Sequence, residues 1–191
     1  VAVGKNALTD LTTGASNVAV GKDAGANITT GEENVAIGDN SLVTGTTANR
    51  NVGLGHDTLE ACTGDHNTAI GHQAMKTNTS GVTNAALGIN ALYANTTGDS
   101  NTGVGPDAGQ SVTTGDNNTF LGHDAGRSNS PSGNITTGSN NVVLGNDAVQ
   151  NLFCQDTSIS SSDSRDKTDI TNFTIGLDWI KALRPVTYRW D

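Results

Sequence analysis

One short pattern of apolar and polar positions, Asn-x-Ala-aliphatic-Gly-x-polar-small, recurs along most of the chain. Its closing glycines are Gly4, Gly21, Gly38, Gly55, Gly71, Gly88, Gly105, Gly122 and Gly145. Their spacings are 17, 17, 17, 16, 17, 17, 17 and 23 residues. A short, regular period is typical of stacked repeats, in which each coil buries its apolar residues only against its neighbours. Seventeen residues are too few for a strand, a helix and their loops, so the pattern predicts an all-β parallel β-solenoid of nine coils.

An aliphatic residue stands directly before each glycine, as at Ile37 and Ile70, and these positions form the aliphatic column. A position that stays apolar and often β-branched through nine coils is typical of a strand residue that points inward. We therefore expect the aliphatic column to fill the interior of the solenoid. Two residues before the glycine lies the small column, which we expect to face a neighbouring chain. It includes Ala19, Ala36, Ala69 and Ala86.

An asparagine stands four residues before the glycine in eight coils. These are Asn17, Asn34, Asn51, Asn67, Asn84, Asn101, Asn118 and Asn141. Identical amides stacked in successive coils are able to hydrogen-bond along the stack, so we predict a structural asparagine ladder. The repeat glycine suits a sharp turn with positive φ. A recurring Thr-Thr-Gly phrase, as at Thr30-Gly31, predicts a second turn in each coil.

The apolar content of each coil is low. The 191 residues are 34% hydrophobic and 4% aromatic, and a single coil offers about two sizeable aliphatic side chains. A narrow rod of this kind gains burial by associating along its length. We therefore expect the chain to form a homo-oligomer.

The charge is concentrated in the repeats. Residues 1–157 hold five basic and fourteen acidic side chains, whereas the remainder holds five of each. An acidic rod argues against binding to nucleic-acid phosphates. No apolar stretch reaches the 18 residues that a membrane-spanning helix needs, so we expect no membrane insertion. Cys62 and Cys154 show no disulfide pattern, which fits assembly in a reducing cytoplasm.

Two columns of polar residues follow the glycine. His56, His72 and His123 come directly after it, and aspartates such as Asp57 and Asp124 come one residue later. Lysine, aspartate and proline share the histidine column, so we interpret it as a solvent-facing turn rather than a metal site. The aspartates lack the Gly-Gly-x-Gly-x-Asp context of calcium-binding solenoids, and turn capping is expected. We predict no metal and no cofactor.

The longest spacing, between Gly122 and Gly145, contains an insertion rich in serine and asparagine. Insertions in a solenoid become loops on one face and often carry binding. Arg127, Asn129 and Pro131 of this insertion are therefore our candidate receptor-binding residues. A tolerated spacer without a binding role is the alternative.

The phrases Asn34-Val-Ala-Ile-Gly38 and Asn67-Thr-Ala-Ile-Gly71, each followed three residues later by a small side chain, resemble the head repeats of trimeric autotransporter adhesins. Related repeats occur in phage tail fibres. The resemblance covers residues 1–152. It implies a left-handed parallel β-roll, three copies of which pack side by side around one axis.

A different segment follows. Residues 153–162 read as a polar linker, and aromatic residues then become frequent. Helical spacing from Phe173 predicts a helix that Pro185 ends, and Val186, Tyr188 and Trp190 alternate as a strand does. We expect residues 163–191 to form a short α+β segment.

The sequence of this segment resembles that of the endosialidase-type intramolecular chaperone, a self-cleaving trimerisation domain of phage tail spikes and fibres. The shared motif begins with Ser162-Asp163-x-Arg165-x-Lys167. The resemblance implies that Ser162 and Lys167 are catalytic and that cleavage occurs beside Ser162 and Asp163. A hydroxyl nucleophile needs a nearby base, which a lysine can supply when its charge is disfavoured. We expect residues 163–191 to be the truncated start of that domain, with the reaction inactive here.

Together these features predict a segment of a phage tail fibre or spike, assembled in the host cytoplasm and displayed on the virion as a trimeric rod. Its expected partner is a host-surface glycan or outer-membrane component, and no enzymatic activity is expected of the rod. A bacterial trimeric adhesin on the cell surface is one alternative. A polysaccharide-degrading tail spike is another, although the three glutamates form no paired carboxylates. Ice binding through the threonines would need them to form flat, regular rows, which the turn-like Thr-Thr-Gly motif disfavours.

Overall fold

A computed structural model of the chain describes residues 1–151. By its contacts the chain divides into two units, Val1–Asn151 and Leu152–Asp191, and the described residues are those of the first. The predicted linker at 153–162 and the predicted helix and strand of 163–191 lie outside the described residues. Within residues 1–151, no helix is long and apolar enough to cross a lipid bilayer.

The described residues form one coil after another, and each coil contributes one short strand. The strands are β1 Ala2–Val3, β2 Val18–Val20, β3 Val35–Ile37, β4 Val52–Leu54, β5 Thr68–Ile70, β6 Ala85–Leu87, β7 Thr102–Val104, β8 Thr119–Leu121 and β9 Val142–Leu144. They pair in parallel and in chain order within one nine-stranded sheet. The prediction of an all-β parallel β-solenoid with about 17 residues per coil is confirmed. Its handedness and the trimer stay predictions.

The expected direction of the strand side chains is wrong. The small column points into the coil, where Ala36 and Ala69 are buried within the single chain. The aliphatic column points outward, and Leu54 and Leu87 are 45% and 49% exposed. Successive strand residues face opposite sides of a sheet, so only one of the two columns is able to line the interior.

In several coils the large core side chain comes from the turn after the strand rather than from the strand. Leu42, Leu59, Met75 and Leu92 each stand four residues after a repeat glycine, and all are fully buried. Their φ angles of 50–52° are unusual for such side chains. This left-handed turn directs a long side chain across the coil, and alanine or glycine in the facing strand leaves it room.

One coil solves the packing problem differently. Phe120 occupies the small column of β8 and is fully buried. The turn positions that hold leucine elsewhere are glycine at Gly109 and Gly126, and a Cβ atom at Gly126 would collide with the Phe120 ring. The aromatic ring therefore takes the volume that two turn side chains leave empty.

Candidate functional site

The predicted asparagines form a continuous buried stack, which we call the asparagine ladder. Asn34 shows the arrangement: its side-chain Oδ1 accepts the backbone N–H of Asn51 at 3.0 Å, and its Nδ2 donates to the carbonyl of Ala48 at 2.7 Å. The same pattern links each asparagine from Asn17 to Asn118 with the next coil. Each buried amide is thus satisfied by the coil that follows it.

The outer face of the sheet is apolar along its length, and we call it the apolar face. It consists of the aliphatic column and, in β2 to β9, the first residue of each strand. That first residue is valine in β2, β3, β4 and β9, alanine in β6 and threonine in β5, β7 and β8. Among its exposed members are Val20, Leu54, Leu87, Leu121 and Leu144. Nine rungs about 4.8 Å apart make this stripe about 40 Å long. A contiguous apolar patch of this extent marks an interaction surface rather than ordinary solvent-exposed surface.

The polar positions two residues after the glycine form a second ladder, which we call the turn column. These residues have left-handed backbone angles, such as φ 55° at Asp57. Burial raises the pKa of the Asp57 carboxyl, but hydrogen bonds from Lys76 and Gln73 outweigh it and lower the pKa to about 2. The aspartates of this column therefore cap turns and join neighbouring coils.

The histidines lie at exposed turns. The rings of His56 and His72 stack with their centroids 5.3 Å apart and their planes at 6°. His56 Nδ1 lies 3.5 Å from Asp57, a carboxylate that Lys76 already holds at 2.7 Å. The two rings stack because they occupy the same position in neighbouring coils.

His123 belongs to a separate polar cluster. Its ring and the carboxylates of Asp107 and Asp124 bring donor atoms within 4.8 Å of one another. The guanidinium of Arg127 lies 2.6 Å from Asp124 and 3.6 Å from Asp107. Hydrogen bonds from Asn129 and Arg127 hold the pKa of Asp124 below its usual value. Arg127 therefore already supplies the cation that balances these two acids.

The insertion is anchored through the adjacent side chains of Asn129 and Ser130. Asn129 donates to Asp124 at 2.7 Å, and the hydroxyl of Ser130 donates to the carbonyl of Gly145 at 3.1 Å. Pro131 and Ser132 are exposed. Of the three candidate receptor residues, Arg127 and Asn129 are thus brought together on Asp124, whereas Pro131 lies at the loop tip.

Two of the three glutamates are paired with cations of neighbouring coils. Glu33 binds Arg50 at 2.7 Å and Glu60 binds Lys76 at 3.0 Å, so these carboxylates do not face each other across a groove. Burial raises the pKa of the Cys62 thiol to about 11, and its sulfur is therefore protonated at neutral pH. Neither feature supports hydrolytic chemistry in the rod.

The predicted cleavage residues Ser162, Asp163 and Lys167 lie outside the described residues. The model of the family described as the chaperone of endosialidase matches residues 162–191, which include all three. Searches of curated proteins and of solved structures found no match to the chain. The C-terminal segment is thus similar to that chaperone family. The resemblance of the repeats to adhesin heads stays a prediction.

Proposed function

We propose that the chain is a rod segment of a phage tail fibre or tail spike, which assembles as a homotrimer and presents a binding surface to the host. The match of residues 162–191 to the chaperone of endosialidase supports this context. The observation that carries the proposal is the apolar face, since a freestanding rod would leave it in water.

A second copy of the same chain is the partner that fits this face best. The apolar residues recur at the coil spacing through all nine strands. An identical rod repeats its own apolar residues at the same interval, so contacts formed at one coil are repeated at the next. Removing half-exposed leucines such as Leu54 and Leu87 from water stabilises the assembly by about 25 cal/mol for each Å² of apolar area.

The trimer presents three copies of every turn to the host. Arg127, Asn129 and Pro131 are then displayed three times, and multivalency strengthens weak individual contacts. The proposed receptor is a glycan or an outer-membrane component of the host surface. The C-terminal segment would aid trimer folding and then be removed by cleavage beside Ser162.

The assembly is tested by measuring the mass of the 191-residue chain in solution by light scattering. We expect three chains of 19.4 kDa each. In the double variant Leu54→Asp with Leu87→Asp, carboxylates replace two exposed leucines of the apolar face. This change is expected to release monomers that retain the wild-type circular dichroism spectrum.

The matched control is Thr97→Asp, which adds a carboxylate at an exposed turn outside the apolar face. It is expected to remain trimeric. A wild-type chain that is monomeric at micromolar concentration would refute the homotrimer. A double variant that keeps the wild-type mass would instead show that the apolar face is not the interface.

A further inference from the structure

The first three coils share an open groove of about 420 Å³, which we call the N-terminal groove. Its lining includes Thr9, Ala26 and Val43, which stand five residues after their repeat glycines and which we call the floor residues. A groove of this size falls in the range of small-molecule sites. It crosses three rungs, so it is about 10 Å long between the outer two.

The groove is open because the floor residues are short. In later coils the equivalent positions hold longer side chains, and those of Lys76, Gln110 and Arg127 contact aspartates of the turn column. Gln110 donates to Asp107 at 2.8 Å, and Arg127 lies 2.6 Å from Asp124. The same backbone therefore carries a covered surface in the later coils and an uncovered one in the first three.

The walls of the groove carry hydrogen-bonding groups. Asn6 donates to Asp23 at 2.8 Å on one side, which fixes both side chains in the turn column. Asp10 and Asn27 also line the groove, and neither side chain bonds to another of the described residues. The groove thus contains polar side chains that are held by internal hydrogen bonds, polar side chains that make no internal bond, and the apolar side chains of Ala26 and Val43.

We propose that the N-terminal groove binds a short saccharide that is neutral or carries an amino group. A sugar ring has one apolar face, which suits the floor, and a rim of hydroxyls, which suits amides and carboxylates. Lys22 pairs with the Asp23 carboxylate at 2.7 Å, so the carboxylate of Asp10, on a chain of net charge −9, is the group that disfavours uronic and sialic acids.

This inference deepens the proposed function, on which it rests, by naming the chemical class of the receptor. The floor has no aromatic platform, so each groove is expected to bind weakly. Three copies on a trimeric rod would raise the effective affinity without any new contact. The N-terminal groove and the insertion at Arg127 lie on different coils and are separable by mutation.

The test is a titration of the 191-residue chain with chitotriose, maltotriose and a glucosamine trimer, followed by saturation-transfer NMR. A sialic-acid trimer serves as the acidic comparison. We expect at least one of the first three probes to bind at millimolar concentration, and the acidic probe not to bind. Failure of all three to bind the wild-type chain would overturn the proposal, as would binding of the acidic probe alone.

The informative variant is Ala26→Gln, because it recreates the covering contact that Gln110 makes with Asp107. The new side chain is expected to bond to Asp23, fill the groove and weaken binding by about tenfold or more. Ala94→Gln adds the same side chain at a half-buried turn outside the groove, and it should bind as the wild type does.

Asn27→Ala gives a second reading that does not depend on filling the groove. Its side chain is exposed and makes no internal bond, so folding should be unchanged while binding weakens about fivefold. Unchanged binding in both Ala26→Gln and Asn27→Ala would refute the site. Because chain mass is measured on the same samples, loss of the trimer is distinguishable from loss of the sugar.

Discussion

Replacing Asn84 by aspartate exchanges one buried amide nitrogen for an oxygen without changing the size of the side chain. In the wild type, Nδ2 of Asn84 donates to the carbonyl of Gly98 at 2.8 Å and to Oδ1 of Asn67 at 3.2 Å. Its own Oδ1 accepts the backbone N–H of Asn101 at 2.8 Å. Asn84→Asp removes both donated bonds and places a carboxylate oxygen against two acceptors.

The expected cost follows from those contacts. The carbonyl of Gly98 loses its side-chain donor, which costs about 1–3 kcal/mol for a buried group. The carboxylate keeps one donor, the N–H of Asn101, and burying a poorly paired charge costs several kcal/mol more unless it takes up a proton. We expect the free energy of unfolding to fall by about 4 kcal/mol at pH 7.

The loss should depend on pH in a definite direction. Burial raises the pKa of the introduced carboxyl in the folded chain above its unfolded value of about 4. Relative to the wild type, Asn84→Asp is therefore least destabilised below about pH 4 and becomes worse as pH rises toward the raised pKa. In the protonated form its hydroxyl donates to one of the two acceptors, and the loss should shrink to about 2 kcal/mol.

The measurement is urea unfolding at pH 4 and pH 7, at one fixed chain concentration because unfolding is coupled to assembly. Asn27→Asp is the control, since it makes the same chemical change at an exposed side chain. The reasoning fails if Asn84→Asp is as stable as Asn27→Asp at pH 7. It also fails if the loss is the same at both pH values.

Three further predictions concern other parts of the chain. Gly71→Ala should abolish folding or lower the melting temperature sharply, because φ is 132° there and a methyl group would collide with the Gly88 carbonyl of the next coil. The lowered pKa of Asp57 stabilises the fold above about pH 4, so that stability should be lost between about pH 4 and about pH 2. Acid titrations monitored by circular dichroism should show a smaller loss of stability in Lys76→Met than in the wild type. A chain extended beyond residue 191 should separate into two fragments on a denaturing gel, and Ser162→Ala should keep the extended chain whole. An extended wild-type chain that forms the trimer but stays uncut would refute self-cleavage.

The fold was predictable because the period alone fixes it. Glycines about 17 residues apart allow one strand per coil, and the asparagine column reveals which residues stack. Both features depend on sequence positions and on strand spacing, so no knowledge of packing was needed. The positive φ predicted for repeat glycines such as Gly38 follows from the same turn and is confirmed.

The facing of the columns was not predictable from hydrophobicity, because the coil is too narrow for the usual rule. The interior accepts only one large side chain per level, and Leu59 and Met75 provide it from turns with left-handed backbone angles. Leucine and methionine rarely adopt that conformation, so their backbone preferences did not predict that these turn residues would fill the core. One signal was available: Gly53 and Gly103 replace alanine in the small column, and a position that tolerates glycine is limited by space.

The N-terminal groove was hidden for a related reason. Its floor residues, Thr9, Ala26 and Val43, carry no distinctive chemistry and differ from the later coils only in length. Their importance appears when Gln110 and Arg127 are seen to bend over the same surface elsewhere. Sequence comparison among the coils could have found it by asking which columns change size.

The pairing of Phe120 with Gly109 and Gly126 affects how such a rod can change length in evolution. Most coils fill their own interior. Duplication or deletion of one coil by recombination would therefore lengthen or shorten the solenoid by about 4.8 Å and keep the same kinds of contact between neighbouring coils. The Phe120 coil is an exception, since its ring takes space that belongs to two coils. A crossover that separates Phe120 from either glycine would leave a void on one side or a collision on the other. Length variants are therefore expected to arise in the first six coils and to spare those that hold Gly109, Phe120 and Gly126.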